Sequence, residues 1–400
     1  MYYMTFCLIM QECARIITVM NMNDYLKWRG DLSFKADPFN EVDNLCIAQI
    51  VYLNFDGILN SDSRMSIKKL AELYFEKYPE LEDSKDFTRT RSYVLKLMAA
   101  SSRFASCTVR NYVHIRHDEN EIIEQFAAMI VDLNDSTSVV AFRGTDSTLT
   151  GWKEDMMLSY TGIASQNDAV DYIDKYCTLL GKYRIIGHSK GGYLALYASM
   201  NCKWYIRHRI IEIYSDDGPG LRPGTYTPDQ YEKIKHKYKL IVPEKDCIGT
   251  IYEIATIRKI CKISVSNVFA AHYMGNWEVE RNHLVESDRD AYVTNLSHKA
   301  IRQFLKETTP YQRKVFVNEL FKAMDEVEIK SFSQFISGGA PLFIKALRRL
   351  SEMDGEAKEI AGKMISAFSD KIGSDIHKSI NEGAGVIKER FFSNTKNKPE

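Results

Sequence analysis

Helical and strand-like hydrophobic patterns follow one another along this chain in a definite order. From Asn23 to Ser101 the spacing is mostly helical. Asp43-Asn44-Leu45-Cys46-Ile47-Ala48-Gln49-Ile50-Val51-Tyr52-Leu53 reads as an apolar helix with Asp43 as its cap, and Ser66 to Lys77 and Thr88 to Ser101 as two more. A β-rich stretch comes next: Arg110 to Arg116 and Glu124 to Leu133 about a polar turn at His117-Asp118-Glu119-Asn120, then Ser138 to Phe142. Beyond it, helices and strands alternate. Ala169 to Leu180 has helical spacing, and Tyr183-Arg184-Ile185-Ile186 is a short buried-strand run. Gly191 to Met200 opens with glycines and continues small and apolar. Ile210 to Tyr214, Tyr238 to Val242 and Lys262 to Val265 are further strand centres. Alternation of this kind predicts an α/β class with a mostly parallel sheet flanked by helices.

From His298 onward the pattern is helical only. Ile360, Met364, Phe368, Ile372, Ile376 and Ile380 form a stripe broadened by Ala357, Ala361 and Ile365. Such a stripe covers a core, pairs with another subunit or rests on a membrane; packing on its own protein is the commonest of these. The division expected is an N-terminal extension over 1–20, an α/β domain over 21–290 and a helical C-terminal region with a polar tail over 291–400. The extension contains an apolar run, Tyr2 to Met10, interrupted at Gln11-Glu12. It lacks the basic start and small-residue cleavage site of a signal peptide, and residues before Met20 and Met22 read as dispensable.

Composition narrows the partners. Lysine and arginine number 53 and aspartate and glutamate 53, so no global charge points to nucleic acid or to an anionic membrane. The 45% hydrophobic content supports a sizeable core. Eight cysteines are scattered with no Cys-x-x-Cys pair and no zinc-like spacing, which predicts free thiols in a reducing cytoplasm and neither a metal nor an organic cofactor.

Chemistry enters at Gly187-His188-Ser189-Lys190-Gly191, a Gly-x-Ser-x-Gly pattern between a strand and a helix. In that context it reads as a nucleophile elbow, with glycines where side chains would collide; a glycine-rich loop capping a helix is the alternative. Serine needs an imidazole base and the base needs an acid, in the chain order Ser, acid, His. If Ser189 follows the fifth of eight strands, the loop after the seventh offers Glu244 and Asp246, and the loop after the eighth offers His272. The order favours Asp246 as acid, with Asp216 and Asp217 of Asp216-Asp217-Gly218-Pro219-Gly220 as competitors that are also ordinary turn formers. His272 is favoured as base. His283 is its rival, while His298 lies in a helical segment and His188 should point away from the Ser189 hydroxyl. An oxyanion hole would be assembled from the Lys190 backbone N–H and from Thr145, through its N–H and hydroxyl, in Arg143-Gly144-Thr145-Asp146.

Phe142-Arg143-Gly144-Thr145, Trp152 and Gly187-His188-Ser189-Lys190-Gly191-Gly192 together resemble the class 3 lipase branch of the α/β-hydrolases. The resemblance is closer to the bacterial Mbeg1-like family, through Gly187 to Gly192, Asp217-Gly218-Pro219-Gly220 and His272-Tyr273-Met274-Gly275-Asn276-Trp277. It covers roughly Asn23 to Val279. Lys190 departs from the apolar residue common in lipases at its position. The resemblance implies an α/β-hydrolase fold, to which the sequence pattern adds a helical C-terminal region outside the resemblance, and a serine hydrolase of esterase or lipase type acting on a small-molecule or lipid ester. A non-catalytic binding protein on the same fold, and acyl transfer to an acceptor other than water, are the other readings. Membrane contact and self-association through the C-terminal helices stay open.

Overall fold

In the computed structural model, residues 19–119, 122–146, 148–245, 248–249, 251–265, 268–288, 302 and 304–326 are described. The helices α1 (Met22–Arg29) and α2 (Glu41–Ile50) precede β1 (Arg64–Ser66), α3 (Ile67–Lys77) and α4 (Arg91–Ala100). The strands β2 (Thr108–Glu119), β3 (Ile122–Asp132) and β4 (Ser138–Phe142) follow, then α5 (Leu149–Met157) and α6 (Ala164–Tyr176). Next come β5 (Tyr183–His188), α7 (Lys190–Asn201), α8 (Trp204–Arg207), β6 (Ile210–Asp216), α9 (Pro228–Glu232), β7 (Tyr238–Pro243) and β8 (Ile257–Cys261). The short α10 (Val268–Ala271), the hairpin β9 (Val279–Glu280) and β10 (His283–Leu284), and α11 (Pro310–Glu326) complete the described elements.

The eight strands β1 to β8 lie in one sheet in sequence order. Pairing is antiparallel from β1 to β4 and parallel from β4 to β8. The parallel half is the α/β core expected from the alternation of patterns. Three strands of the sheet, β2, β3 and β8, have bounds that differ from the expected ones. β2 and β3 run on through His117 to Glu119 and back from Ile122, because cross-strand pairs such as His117 with Glu124 continue the ladder beyond the polar residues. The last strand is Ile257–Cys261, not Lys262 to Val265. As an edge strand it is buried on few sides and tolerates Arg258 and Lys259, while Lys262 to Val265 pairs instead with the segment around Trp277.

Each strand feeds two cores by alternation. On β4, Val139 and Ala141 join the cluster under α1 to α4, whereas Val140 and Phe142 join the cluster under α6 and α7. The N-terminal helices are therefore one layer of the domain. Ser66, the expected start of α3, and Thr90, two residues past the expected start of α4, accept from the third backbone N–H of these helices. For α2 the cap is Asn40, not Asp43; Asp43 closes the capping box from within the helix. The Asp43 carboxylate then meets buried Arg103 at 2.7 Å. Removing either partner of such a pair would leave an uncompensated charge.

α11 packs its buried face, with Phe316, Val317, Leu320 and Met324, on the protein itself, and the Phe321 ring meets Trp152 of α5 edge-on at 6.5 Å. The stripe from Ile360 to Ile380 lies outside the described residues, as does most of the expected N-terminal extension. Met20 is described and bridges Val279. Cys46, Cys107, Cys177, Cys202 and Cys261 are free and buried. Among the described residues no helix is long and apolar enough to cross a membrane.

Candidate active site

β4, β5 and β6 end side by side, and the loops leaving their C-terminal ends carry the candidate residues, where an open parallel sheet forms its crevice. Ser189 follows β5 directly at φ 58° and ψ −129°, a strained conformation for a residue with a Cβ. Packing makes the turn this sharp. A Cβ on Gly187 would lie 2.2 Å from the Gly191 backbone, and one on Gly191 would lie 2.3 Å from the Phe142 carbonyl oxygen. Strand, turn and helix close together only with glycine at both positions. The Ser189 N–H donates to the Asp216 carbonyl at 2.9 Å and the Ser189 carbonyl accepts from Gly192 N–H at 2.9 Å, which fixes the serine backbone at both ends.

His272 lies just past α10. Its Nδ1 is 2.6 Å from Oδ2 of Asp217, whose side chain is 1% exposed. Asp217 leaves β6 at φ 48°. Its N–H donates to the Ile241 carbonyl at 2.7 Å and its Oδ1 accepts from the Gly249 N–H at 3.0 Å. The neighbouring Asp216 faces elsewhere: both of its oxygens accept from Asn44 Nδ2 at 2.9 Å, and burial pushes its carboxyl up to about 8. Asp246 lies outside the described residues. Among the described residues, the carboxylate that meets His272 thus comes from the loop after β6, with the order Ser, acid, His kept. His283 is exposed on β10 opposite Glu280 and has no place in this cluster. His298 lies outside the described residues.

The His272 loop is held from two sides. Buried Trp277 donates its indole N–H to the Ala271 carbonyl at 2.8 Å. His188 Nε2 is 2.8 Å from the His272 carbonyl oxygen. A carbonyl only accepts, so Nε2 of His188 carries the proton and its Nδ1 accepts from the Tyr52 hydroxyl at 2.8 Å. Burial, followed by the charge of His272, pushes the His188 imidazole well below its ordinary range. His188 is therefore a neutral strut between the helix end at Tyr52 and the loop bearing His272, and its ring lies 4.5 Å from that of His272.

On the other side of Ser189 the Gly144 loop is pressed against the elbow. A Cβ there would lie 2.1 Å from the Tyr52 hydroxyl and 2.4 Å from the His188 carbonyl oxygen. The Thr145 hydroxyl donates to the Asp155 carboxylate, at 2.6 Å to Oδ1 and 2.5 Å to Oδ2. Of the two donors expected from Thr145, the hydroxyl is thus engaged with Asp155. Burial raises the Asp155 carboxyl to about 6 against the opposing charge of Lys190. Lys190 opens α7, where the first N–H groups have no partner within the helix. Its side chain runs back into the protein to Glu154, with Nζ 2.6 Å from Oε2.

Glu154, Asp155 and Tyr52 are the parts sequence reading missed. A signal existed for the first: a lysine directly after an elbow serine, flanked by glycines and apolar residues, must find an acid if it is buried. Nothing in the sequence says which acid. Among the described residues no group of three or more His, Cys, Asp and Glu is arranged to hold a metal ion.

A sheet whose parallel half delivers a serine on a strained turn, with helices on both faces, is the architecture of the α/β-hydrolases, and this chain has that fold. The family follows from the sequence as a whole. The Mbeg1-like family model matches residues 98–322, and the chain belongs to that family. The match includes most of α11. Among curated proteins none matches the chain. Of solved structures, the chain is similar to one titled crystal structure of M37 lipase, at 14% identity over 52% of this chain and 69% of that one, with a TM-score of 0.31. A likeness of that size carries no argument about activity.

Proposed function

We propose that this protein is a serine hydrolase of carboxylic esters, of esterase or lipase type, with Ser189 as nucleophile, His272 as base and Asp217 in the role first expected of Asp246. His272 Nδ1 faces Asp217, so Nε2 is the nitrogen that takes the Ser189 proton. As that proton leaves, the serine oxygen bonds to the carbonyl carbon and the carbonyl electron pair moves to oxygen. The backbone N–H groups of Lys190 and Thr145 hold this oxyanion. Collapse expels the alcohol, which takes the proton from His272. Water then repeats the cycle on the acyl-serine, with His272 as base and afterwards as acid.

The observation that carries the reading is the 2.6 Å contact between His272 and buried Asp217 beside a serine at φ 58°. A buried carboxylate on Nδ1 fixes the tautomer a serine needs, and a strained serine is a feature retained at functional sites. Residence in the cytoplasm belongs to the proposal and accords with five buried free cysteines. The test is hydrolysis of a panel of short-chain p-nitrophenyl esters by the wild type and by Ser189→Ala. Turnover by the wild type that disappears in the variant supports the reading, and equal rates in both overturn it.

A further inference from the structure

Lys190 is an expensive residue for its place. It is the first residue of α7, where the helix dipole disfavours a cation, and its side chain is fully buried, where an ammonium loses its hydration. An apolar side chain would fill such a site without either cost. The lysine is nonetheless engaged on two sides: Nζ donates to Glu154 at 2.6 Å and to the Gln125 carbonyl at 2.7 Å. Glu154, equally buried, also accepts from the Ser165 hydroxyl at 2.8 Å and from the Gln125 N–H at 3.1 Å. Gln125 in turn donates from Nε2 to the hydroxyl of Thr148, the cap of α5, at 2.6 Å. The network therefore ties together β3, the start of α7, the start of α6 and, through Thr148 and Glu154, α5.

What α5 carries gives this network a purpose. Glu154, which holds the elbow lysine, is followed directly by Asp155, which holds the Thr145 hydroxyl. One turn of one helix thus grips both residues whose backbone N–H groups are assigned to the oxyanion. Resting on that assignment, we propose that the buried Lys190–Glu154 pair is a positioning device that sets the Thr145 loop and the elbow in a single register, so that the two donors converge on one point. Oxyanion donors act only when preorganised, and a displacement of about 1 Å far from the bond being broken can cost about a hundredfold in rate. The pair acts through geometry and touches no substrate.

The test uses the full chain, with p-nitrophenyl butyrate as substrate. Lys190→Met alone would take from buried Glu154 both its counter-charge and a donor, so the informative variant is the double Lys190→Met/Glu154→Leu, which replaces the pair by apolar groups and is expected to fold. Its kcat should fall about 30- to 100-fold while KM stays within about threefold, because the donors act on the transition state and not on the bound ester. Glu154→Gln, which keeps shape and hydrogen bonding but removes the counter-charge, should show a smaller loss of the same kind, about tenfold in kcat. If the double variant does not fold, Glu154→Gln decides. Wild-type kcat in a folded double variant, or in Glu154→Gln, overturns the positioning role and leaves the hydrolase reading intact. A wild type without turnover on esters overturns the hydrolase reading and this assignment with it.

Discussion

Replacing Asp217 by asparagine separates the two acids that sequence and structure bring forward. The Gly249 N–H requires an acceptor at Oδ1, 3.0 Å away, so the amide oxygen of Asp217→Asn would stay there and its NH₂ would occupy the Oδ2 position, 2.6 Å from His272 Nδ1. Two donors cannot face each other. The imidazole would carry its proton on Nε2 instead, the nitrogen that has to accept from Ser189. A second loss adds to the first. When His272 becomes an imidazolium, a carboxylate at about 4 Å between charge centres stabilises it by about 4 kcal/mol at an effective dielectric constant of about 20. At about 1.4 kcal/mol per decade, that term alone is about a thousandfold in rate. Asp217→Asn should therefore lower kcat for p-nitrophenyl butyrate by about 10³- to 10⁴-fold with KM within about threefold, as removal of the charge does in a serine protease triad. Asp246→Asn should stay within about threefold of the wild type. A variant Asp217→Asn within about tenfold of wild-type kcat, or a large loss in Asp246→Asn, would refute the assignment.

Two further expectations concern the scaffold. Gly191→Ala would place a Cβ 2.3 Å from the Phe142 carbonyl oxygen; at a cost of about 2–3 kcal/mol, thermal unfolding should move down by about 4–12 °C, and an unchanged Tm would contradict the close packing of the elbow. His188 is held neutral with its pKa well below the ordinary 6.5. Below pH 6.5 the unfolded chain binds a proton at this site that the folded chain refuses, so stability is full above 6.5 and falls as the pH drops. Urea unfolding at pH 7.5 and 5.5 should show the wild type losing about 1.4 kcal/mol more between the two than His188→Gln does. Equal losses would mean that His188 is free to titrate in the folded state.

Particular residues explain how far the sequence could be read. Ser66 announces α3 because a cap is a local device, decided within four residues; the start of α4, expected at Thr88, falls instead at the cap Thr90. Val139 to Phe142 and Ile185-Ile186 announce β4 and β5 because central strands buried on both faces must be apolar throughout. β8 escapes this logic. An edge strand needs only part of its surface buried, so Arg258 and Lys259 hide it, while Lys262 to Val265 imitates a strand by alternation. The cap of α2 was displaced by the same ambiguity of short polar residues: Asn40 and Asp43 both suit a helix start, and only the geometry of the capping box separates their roles.

The candidate site divides in the same way. The elbow is legible because Gly187 answers to the backbone of Gly191 within one five-residue motif, even though Gly191 itself answers to the distant Phe142 carbonyl. The acid is not, since Asp216, Asp217 and Asp246 all precede His272, and a strand count that favours Asp246 says nothing of which carboxylate reaches the imidazole. What distinguishes Asp217 is a backbone turned to φ 48°, which swings its carboxylate away from the direction taken by Asp216 toward Asn44. Long-range partners were beyond reach for a related reason. Lys190 announces that an acid is needed, but Glu154 becomes that acid only when α5 is laid against β3 and the start of α7.

The central claim is that Ser189 is an activated nucleophile, and covalent labelling tests it without any knowledge of the natural ester. The full chain is incubated with a fluorophosphonate probe at neutral pH and the modified peptide is identified by mass spectrometry. The account expects one adduct, on Ser189, formed quickly in the wild type and abolished or strongly slowed in Asp217→Asn. No adduct on Ser189, or one that forms as fast without the Asp217 carboxylate, would contradict it.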